Sequence, residues 1–389
     1  MHDLTRQFTT VGTAHRRHGD GLEFGIAQGD RLMHQYIIGQ TGTGKTTLLA
    51  NMAKQDAEMG NGFCLIDPHG DLAQALSEHL GTEHIYWNVA DPNSVYGYNP
   101  LTTTSAALRP LVASGLIETL KQQWSDAWGA RMEHLLRFAI LALLELPKTD
   151  LRDVVPLFLS KSYREQVLAR LSDPQVIHFW REEYKAMNYK TSMDGVAPIA
   201  NKIGAFLSHP IVRQAVCDPI EPLRFRKLMD EGKCVIVNLA KGHLGADTTN
   251  VLGGLLVSSI TNAAFTRHNQ PESDRKPFFL YIDEFPSFST MALASTLSEA
   301  RKYALGLILA HQYTSQAEPE MLQSIIGNVG TIMVFRIGAL DTPLFVKQLE
   351  SVTHHDLVHQ ANFAAFTQLM VKGLKSKTFT AKTYPPFYA

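Results

Sequence analysis

The sequence predicts an α/β protein with a mostly parallel sheet and one inserted all-α domain. Short apolar segments alternate with helical ones near both ends of the chain, and this alternation is typical of parallel strands joined by crossover helices. Residues 108–217, by contrast, show helical periodicity almost throughout. A glycine-rich turn also separates the apolar segment 36–38 from a helical segment, which is the setting of a phosphate-binding loop.

The elements follow in chain order. Strands are predicted at residues 22–27 (as part of a hairpin), 36–38, 63–67, 84–89, 234–239, 278–282, 305–310 and 331–337, with a closing hairpin at 367–371 and 377–383. Helices are predicted beside them at 47–53, 71–80 and 249–268. The resulting division is a first core part at 1–101, an all-α insertion at 102–222 and a second core part at 223–389.

Composition limits the function classes. The chain has 389 residues, of which 45% are hydrophobic, enough for a sizeable core. Its formal net charge of −1 argues against a nucleic-acid binder that acts through one broad basic patch. The net charge does not exclude a nucleic-acid motor whose basic groups line only an internal channel. The low cysteine count, and the lack of a signal peptide and of any apolar run of about 18 residues, predict a reduced, cytoplasmic chain without a membrane span.

The strongest motif is a glycine, four residues and then Gly-Lys-Thr, which is the phosphate-loop pattern. Glycines let backbone N–H groups approach a phosphate, and the helix that follows adds partial positive charge. In this arrangement Lys45 reaches the β- and γ-phosphates and Thr46 holds Mg²⁺. The nucleotide-contacting residues are predicted to be Gly39, Thr41, Gly42, Thr43, Gly44, Lys45, Thr46 and Thr47. The alternative is a chance glycine-rich turn, which the flanking strand and helix disfavour.

Two adjacent carboxylates end the apolar strand predicted at 278–282. In phosphate-loop ATPases the first acid of such a pair belongs to the Mg²⁺ shell, and the second is the general base that polarises the attacking water. We therefore predict Asp283 as a Mg²⁺ ligand together with Thr46, and Glu284 as the base. The alternative is a strand that ends on a solvated acidic turn, which the phosphate loop in the same chain disfavours.

Two further residues are candidates for catalysis. Gln312 follows the strand predicted at 305–310, from where it can contact the γ-phosphate or its water as a sensor; an ordinary strand-end glutamine is the alternative. Arg301 ends the preceding helix and is a candidate arginine finger for a neighbouring subunit's nucleotide. Its alternative is an arginine that stabilises the C-terminal end of its own helix. Arg336 is a second candidate finger.

The order of these motifs resembles the FtsK–HerA family of hexameric DNA motors, and within it the TraD- and TraG-type coupling proteins of bacterial conjugation. The resemblance covers residues 24–385. It rests on the phosphate loop, residues 67–71, the helical insertion, residues 238–242, Asp283 and Glu284, residues 301–303, His311 and Gln312, residues 328–331, and Phe335 and Arg336. It implies a RecA-like phosphate-loop NTPase core, ATP and Mg²⁺ as cofactors, and the site roles given above, with Arg301 acting in trans.

The resemblance also implies a function: DNA-dependent ATP hydrolysis between subunits of a hexameric ring that pumps single- or double-stranded DNA. The implied partners are DNA, further copies of the chain, and a relaxase, a nuclease or a secretion-channel protein that recruits the motor to the inner membrane. Coupling proteins have N-terminal transmembrane helices and HerA helicases an N-terminal β-barrel, whereas only 38 residues precede Gly39. We therefore expect either a truncated form or a soluble, stand-alone relative.

Three alternative functions stay open. The first is a HerA-like helicase or translocase that works with a nuclease or in DNA packaging. The second is a nucleotide-gated assembly scaffold without translocation. The third is a small-molecule kinase, which the acidic pair, Gln312 and the size of the helical insertion disfavour.

Overall fold

The computed structural model describes residues 8–14, 21–187, 189–288 and 291–388. Its strands are β1 (Phe8–Ala14), β2 (Leu22–Ala27), β3 (Gln35–Ile38), β4 (Gly62–Asp67), β5 (Ile85–Asn88), β6 (Tyr96–Gly97), β7 (Glu221–Pro222), β8 (Cys234–Asn238), β9 (Phe278–Ile282), β10 (Leu305–His311), β11 (Thr331–Val334), β12 (Ala364–Gln368), β13 (Met370–Val371), β14 (Leu374–Lys375) and β15 (Phe379–Thr383).

The helices are α1 (Gln28–Arg31), α2 (Lys45–Glu58), α3 (Asp71–His79), α4 (Arg109–Gln123), α5 (Ala130–Glu145), α6 (Val154–Leu159), α7 (Lys161–Leu168), α8 (Pro174–His178), α9 (Tyr184–Ala186), α10 (Tyr189–Ser208), α11 (Pro210–Cys217), α12 (Phe225–Glu231), α13 (Lys241–Leu244), α14 (Ala246–Phe265), α15 (Met291–Ala300), α16 (Pro319–Asn328), α17 (Thr342–Gln348) and α18 (His354–Val358). The chain divides into two compact units. Across the described ranges, no helix is both long and apolar enough to span a bilayer.

The first unit comprises the described residues within 1–88, 225–243 and 263–389, and it contains one large sheet. Within the described residues, eleven strands pair in the order β2-β1-β15-β12-β11-β3-β10-β9-β4-β8-β5. Pairing is parallel from β11 to β5 and antiparallel from β2 to β11. Every residue of β3, β4, β8, β9 and β10 is buried, as strands covered on both faces require.

The strand order determines which loops meet. β10 lies between β3 and β9, and β4 lies on the other side of β9. In register, His311 of β10 pairs with Ile38, and Leu309 pairs with Ile282. Because these strands are parallel, the loops that follow their carboxyl ends lie side by side, at the position where open α/β sheets bind ligands.

Both predicted hairpins are present, and each also joins the main sheet, but the first strand of the closing hairpin lies earlier than the predicted 367–371. It is β12, and residues 370–371 form β13, which pairs with β14. β12 and β15 pair antiparallel, with Ala364 opposite Lys382 and Thr367 opposite Phe379. β12 also pairs with β11, and β15 with β1. The N- and C-terminal segments therefore extend the sheet instead of standing apart from it, an outcome set by long-range pairing that local sequence patterns do not contain.

The second unit comprises described residues within 89–224 and 244–262, so it is larger than the predicted insertion at 102–222. It includes most of α14, which the prediction assigned to the core because it follows a core strand, as crossover helices do. The reason is close packing on α4. A Cβ at Gly115 would lie 2.5 Å from Oγ of Ser258, and the Thr119 hydroxyl is 3.5 Å from the carbonyl oxygen of Gly254.

Candidate active site

The phosphate loop connects β3 to α2 at the carboxyl edge of the sheet. Its backbone is left-handed at Gly42 (φ 76°) and Gly44 (φ 113°), a conformation that residues with a Cβ rarely adopt. A Cβ at Gly44 would also lie 2.8 Å from Cδ1 of Phe363. These turns bring the loop to the N-terminus of α2, where the first N–H groups of a helix and its dipole favour an anion.

Lys45 opens α2 and is almost fully buried, with 5% of its surface exposed. Its Nζ donates hydrogen bonds to the carbonyl oxygens of Gly39 and, at 3.1 Å, Gln40. Burial lowers the pKa of this ammonium group, and the nearby carboxylates of Asp283 and Glu284 oppose that shift. The lysine is therefore held within its own loop, where phosphate oxygens would offer stronger, charge-assisted partners than neutral carbonyls.

The threonines of the loop occupy different environments. Thr43 is buried, and its hydroxyl donates to the carbonyl oxygen of Gln40 at 2.7 Å, so its side chain stabilises the loop. Thr46 and Thr47 are half-buried on the first turn of α2, and Thr41 is exposed. Three of the four predicted threonines are thus at least partly exposed to solvent.

Asp283 follows β9 and lies close to Asp67, the last residue of the neighbouring strand β4. Burial, together with the neighbouring carboxylates of Asp67 and Glu284, raises the pKa of Asp283 to about 7, although the Lys45 ammonium group acts in the opposite direction. A divalent cation would offset this excess of negative charge. Carboxylate and hydroxyl oxygens suit Mg²⁺, so Asp283 and Thr46 fit the predicted metal.

The metal would need further ligands from the nucleotide and water. Among the described residues, no three His, Cys, Asp or Glu side chains form a group that could hold a metal ion. Mg²⁺ commonly binds through one or two protein oxygens together with substrate phosphates.

Glu284 starts the turn after β9 with a left-handed backbone, at φ 52°. This conformation costs a residue with a Cβ on the order of 1 kcal/mol. The residue is 8% exposed. Its Oε1 accepts an N–H from the carboxamide of Gln312 at 2.7 Å, and its Oε2 accepts one from Gln316 at 2.9 Å. Two amide donors therefore orient both oxygens of the predicted base.

Gln312 connects the predicted base to the phosphate loop. Because β10 lies between β3 and β9, a side chain after β10 stands between the loop and the acidic pair. The Thr41 hydroxyl donates to Oε1 of Gln312 at 3.0 Å, and Nε2 of Gln312 donates to Glu284 at 2.7 Å. A γ-phosphate near this carboxamide would compete for both contacts, as expected of a sensor.

The two candidate arginines lie at opposite ends of the parallel strands: Arg301 lies before β10, and Arg336 lies after β11. Arg301 is exposed, precedes β10, and lies near enough to His34, just before β3, to affect its titration. β3 and β10 are parallel, so the seven residues of β10, roughly 20 Å of strand, separate Arg301 from the edge that carries its own phosphate loop. Arg336 follows β11 at that edge, with Nε 3.4 Å from Oε1 of Gln40.

Sequence reasoning missed two members of this cluster. Gln316 was given no role, although it follows Gln312 by four residues. Asp67 was noted only as part of a motif, yet its carboxylate lies near Asp283 and also accepts the backbone N–H groups of His69 and Ala73, both at 2.9 Å. A strand-end acid next to the predicted metal ligand is the signal that could have identified it.

Comparisons with known proteins identify a family and a fold. The family model described as helicase HerA, central domain, matches residues 27–260, more than half of the chain. Comparison with curated protein sequences gives no match. The bacterial conjugative coupling protein TrwBΔN70 is similar in structure, with a TM-score of 0.68 and 16% identity over 98% of this chain and 90% of that one.

Two further solved structures are similar. TrwB in complex with ADP and Mg²⁺ gives a TM-score of 0.67 and 15% identity over 97% of this chain and 94% of that one. VirB4 of Thermoanaerobacter pseudethanolicus gives a TM-score of 0.69 and 13% identity over 97% of this chain and 96% of that one. At these identities the likeness shows the fold alone, a RecA-like phosphate-loop ATPase core, and the predicted fold class is confirmed.

Proposed function

We propose that this chain, which belongs to the family of the HerA helicase central domain, is a Mg²⁺-dependent ATPase that moves DNA in the manner of conjugative coupling proteins. The observation that carries the proposal is the connected path from Thr41 through Gln312 to Glu284. This path joins the loop that would hold the phosphates to the base that would activate water. TrwB, a plasmid coupling protein of similar fold, is known in complex with ADP and Mg²⁺, which supports these cofactors here.

The side chains have distinct roles in the proposed reaction. Lys45 neutralises charge on the β- and γ-phosphate oxygens, and backbone N–H groups of the loop bind the same phosphates. Mg²⁺, held by Thr46 and Asp283, supplies further charge neutralisation when bound. Glu284 takes a proton from the water that attacks the γ-phosphorus, and the bond to the ADP oxygen breaks. Gln312 signals whether the γ-phosphate is present, because it contacts both the loop and the base.

We infer that hydrolysis needs a neighbouring subunit. Arg301 is exposed at the edge of the sheet opposite its own phosphate loop, so its guanidinium would have to complete the site of another copy. In a closed ring, which in this family is a hexamer, every phosphate loop has a neighbouring subunit that can supply this arginine. Arg336 lies beside its own loop and would instead act within one subunit.

The partners follow from the proposed motor. DNA would pass through the ring, and a relaxase or secretion-channel protein would deliver it and recruit the motor from the cytoplasm to the inner membrane. The match to the HerA central domain also favours a second candidate, a translocase that works with a nuclease. A nucleotide-gated scaffold would share the site but would not respond to DNA.

ATP hydrolysis with and without DNA tests the proposal. We would measure phosphate release by the wild type and by Lys45→Ala, alone and with single- or double-stranded DNA. The molecular mass of the protein in the same buffers would show whether rings form. The proposal predicts Mg²⁺-dependent turnover that DNA increases under conditions where rings form, and little turnover by Lys45→Ala. Turnover that no DNA changes would favour the scaffold, and no turnover at all would contradict the ATPase.

A further inference from the structure

A second glutamine contacts the predicted base from a separate element. Gln316 ends the short helical turn Thr314–Gln316 after β10. Its Nε2 donates to Oε2 of Glu284 at 2.9 Å, whereas Gln312 donates to Oε1. The two oxygens of the carboxylate are thus held by two different side chains.

The same side chain also closes the turn that carries it. Oε1 of Gln316 accepts the backbone N–H groups of Gln312 at 2.9 Å and Tyr313 at 3.1 Å. Because a backbone N–H can only donate, these contacts settle which end of the carboxamide is oxygen. The other end, the N–H, must then point to Glu284.

The turn is anchored by a side chain from a loop other than the phosphate loop. Thr314 donates its backbone N–H at 2.9 Å and its hydroxyl at 2.6 Å to Oδ1 of Asp341, which is 7% exposed. The position of Gln316 therefore depends on a buried acid in another loop and not on the phosphate loop. Gln312, by contrast, touches the phosphate loop directly through Thr41.

We propose that Gln316 is a positioning residue that keeps the Glu284 carboxylate oriented during hydrolysis. This inference rests on the proposed function, since it takes Glu284 as the base. When the Gln312 carboxamide turns to a γ-phosphate, it releases Oε1 of Glu284. Gln316 then supplies the contact that still directs the carboxylate toward water, and proton transfer depends on that geometry.

The two ends of the carboxamide can be tested separately. Gln316→Glu keeps acceptor oxygens for the backbone N–H groups of Gln312 and Tyr313 but replaces the donor to Glu284 with a second carboxylate, which repels that of Glu284. Gln316→Ala loses both. Gln323→Ala, at an exposed position of α16, is the matched control. We would measure kcat and KM for ATP, binding of a fluorescent ATP analogue, and melting temperature for each variant.

The positioning role predicts that Gln316→Glu and Gln316→Ala both lower kcat by about tenfold or more, within the range general-base catalysis contributes. KM and analogue binding should stay within about twofold, and Gln323→Ala should match the wild type. The observation that Gln316→Glu hydrolyses at the wild-type rate would overturn the inference, because the turn would then need only an acceptor. Loss of folding in both Gln316 variants would overturn it too, by showing a structural role. A wild type that hydrolyses no ATP would instead refute the proposed function, and the inference with it.

Discussion

Arg301 and Lys45 lie at opposite ends of two neighbouring parallel strands, β10 and β3. Arg301 begins the helical turn Arg301–Tyr303 before β10, and Lys45 follows the loop after β3. The two strands are parallel neighbours, so the start of one is distant from the end of the other. An arginine in this position is too far from its own phosphate loop to contact the nucleotide there, as the proposed role toward a second subunit requires.

Mixing inactive variants tests this arrangement. A Lys45→Ala subunit keeps Arg301, and an Arg301→Ala subunit keeps its phosphate loop. Each alone should be nearly inactive, since an arginine finger contributes about 10³–10⁵ in rate. Mixed under conditions where rings form and exchange subunits, they should recover part of the ATPase rate, because some interfaces then contain both wild-type groups. Lys302→Ala, on the same exposed turn, is the matched control and should retain activity.

Two results would contradict a trans-acting arginine. One is near-normal activity of Arg301→Ala alone. The other is a mixture that demonstrably exchanges subunits yet hydrolyses no faster than its components.

Binding and turnover should separate in the phosphate loop and the acidic pair. Lys45→Ala removes the buried ammonium group and should weaken ATP binding. Glu284→Gln removes the base but leaves Thr46 and Asp283, so ATP should bind and persist unhydrolysed. Equilibrium binding and single-turnover hydrolysis measure the two effects. Wild-type turnover by Glu284→Gln would exclude it as the general base.

The helix that follows the phosphate loop is anchored by a buried ion pair. Arg31 and Asp56 are fully buried, and Nη2 of Arg31 donates to Oδ2 of Asp56 at 2.8 Å. The same nitrogen donates to the hydroxyl of Tyr281 on β9 at 2.7 Å. Asp56→Ala leaves a buried guanidinium without its counter-charge, and should lower the free energy of unfolding by about 3–5 kcal/mol.

The same helix offers the control. Glu58 pairs with Lys54 at the surface, and exposed pairs contribute about 0–1 kcal/mol. Glu58→Ala should therefore change the free energy of unfolding in urea far less than Asp56→Ala. Equal effects would mean that burial does not determine the strength of these pairs here.

His34 should make the protein sensitive to acid. The residue is 1% exposed, and Nδ1 accepts the backbone N–H of Leu307 at 3.1 Å. Burial lowers the pKa of His34 from 6.5 to about 4. As pH falls below 6.5, the unfolded chain binds this proton before the folded one does. The free energy of unfolding therefore decreases as the pH falls from 6.5 to about 4, by up to about 3 kcal/mol in total.

A substitution at this position isolates the effect. The backbone of His34 is left-handed, with φ 64°, and asparagine tolerates that region. His34→Asn should make the free energy of unfolding less dependent on pH between about 4 and 6.5, whatever its value at neutral pH. An unchanged pH slope would show that other groups cause the acid sensitivity.

The sequence predicted the parts of the fold and site that depend on local patterns. β4, β9 and β10 are apolar because both faces are covered, so their positions were evident. The phosphate loop was evident for a similar reason: its glycines, Lys45 and Thr46 are contiguous.

What the sequence did not show depends on distant pairing. The place of β10 between β3 and β9, which brings Gln312 to both Thr41 and Glu284, follows from strand order. The role of Gln316 depends on a turn that is bonded to Asp341. Likewise, α14 follows a core strand but packs on α4, because Gly115 permits close contact with it.

Movement along DNA is the central claim, and displacement of bound streptavidin tests it most directly. Biotinylated single- and double-stranded DNA carrying streptavidin would be incubated with the wild type or Glu284→Gln, with ATP or without it. We expect ATP-dependent displacement from at least one DNA by the wild type and none by Glu284→Gln. A wild type that hydrolyses ATP in the presence of both DNAs but displaces streptavidin from neither would contradict it.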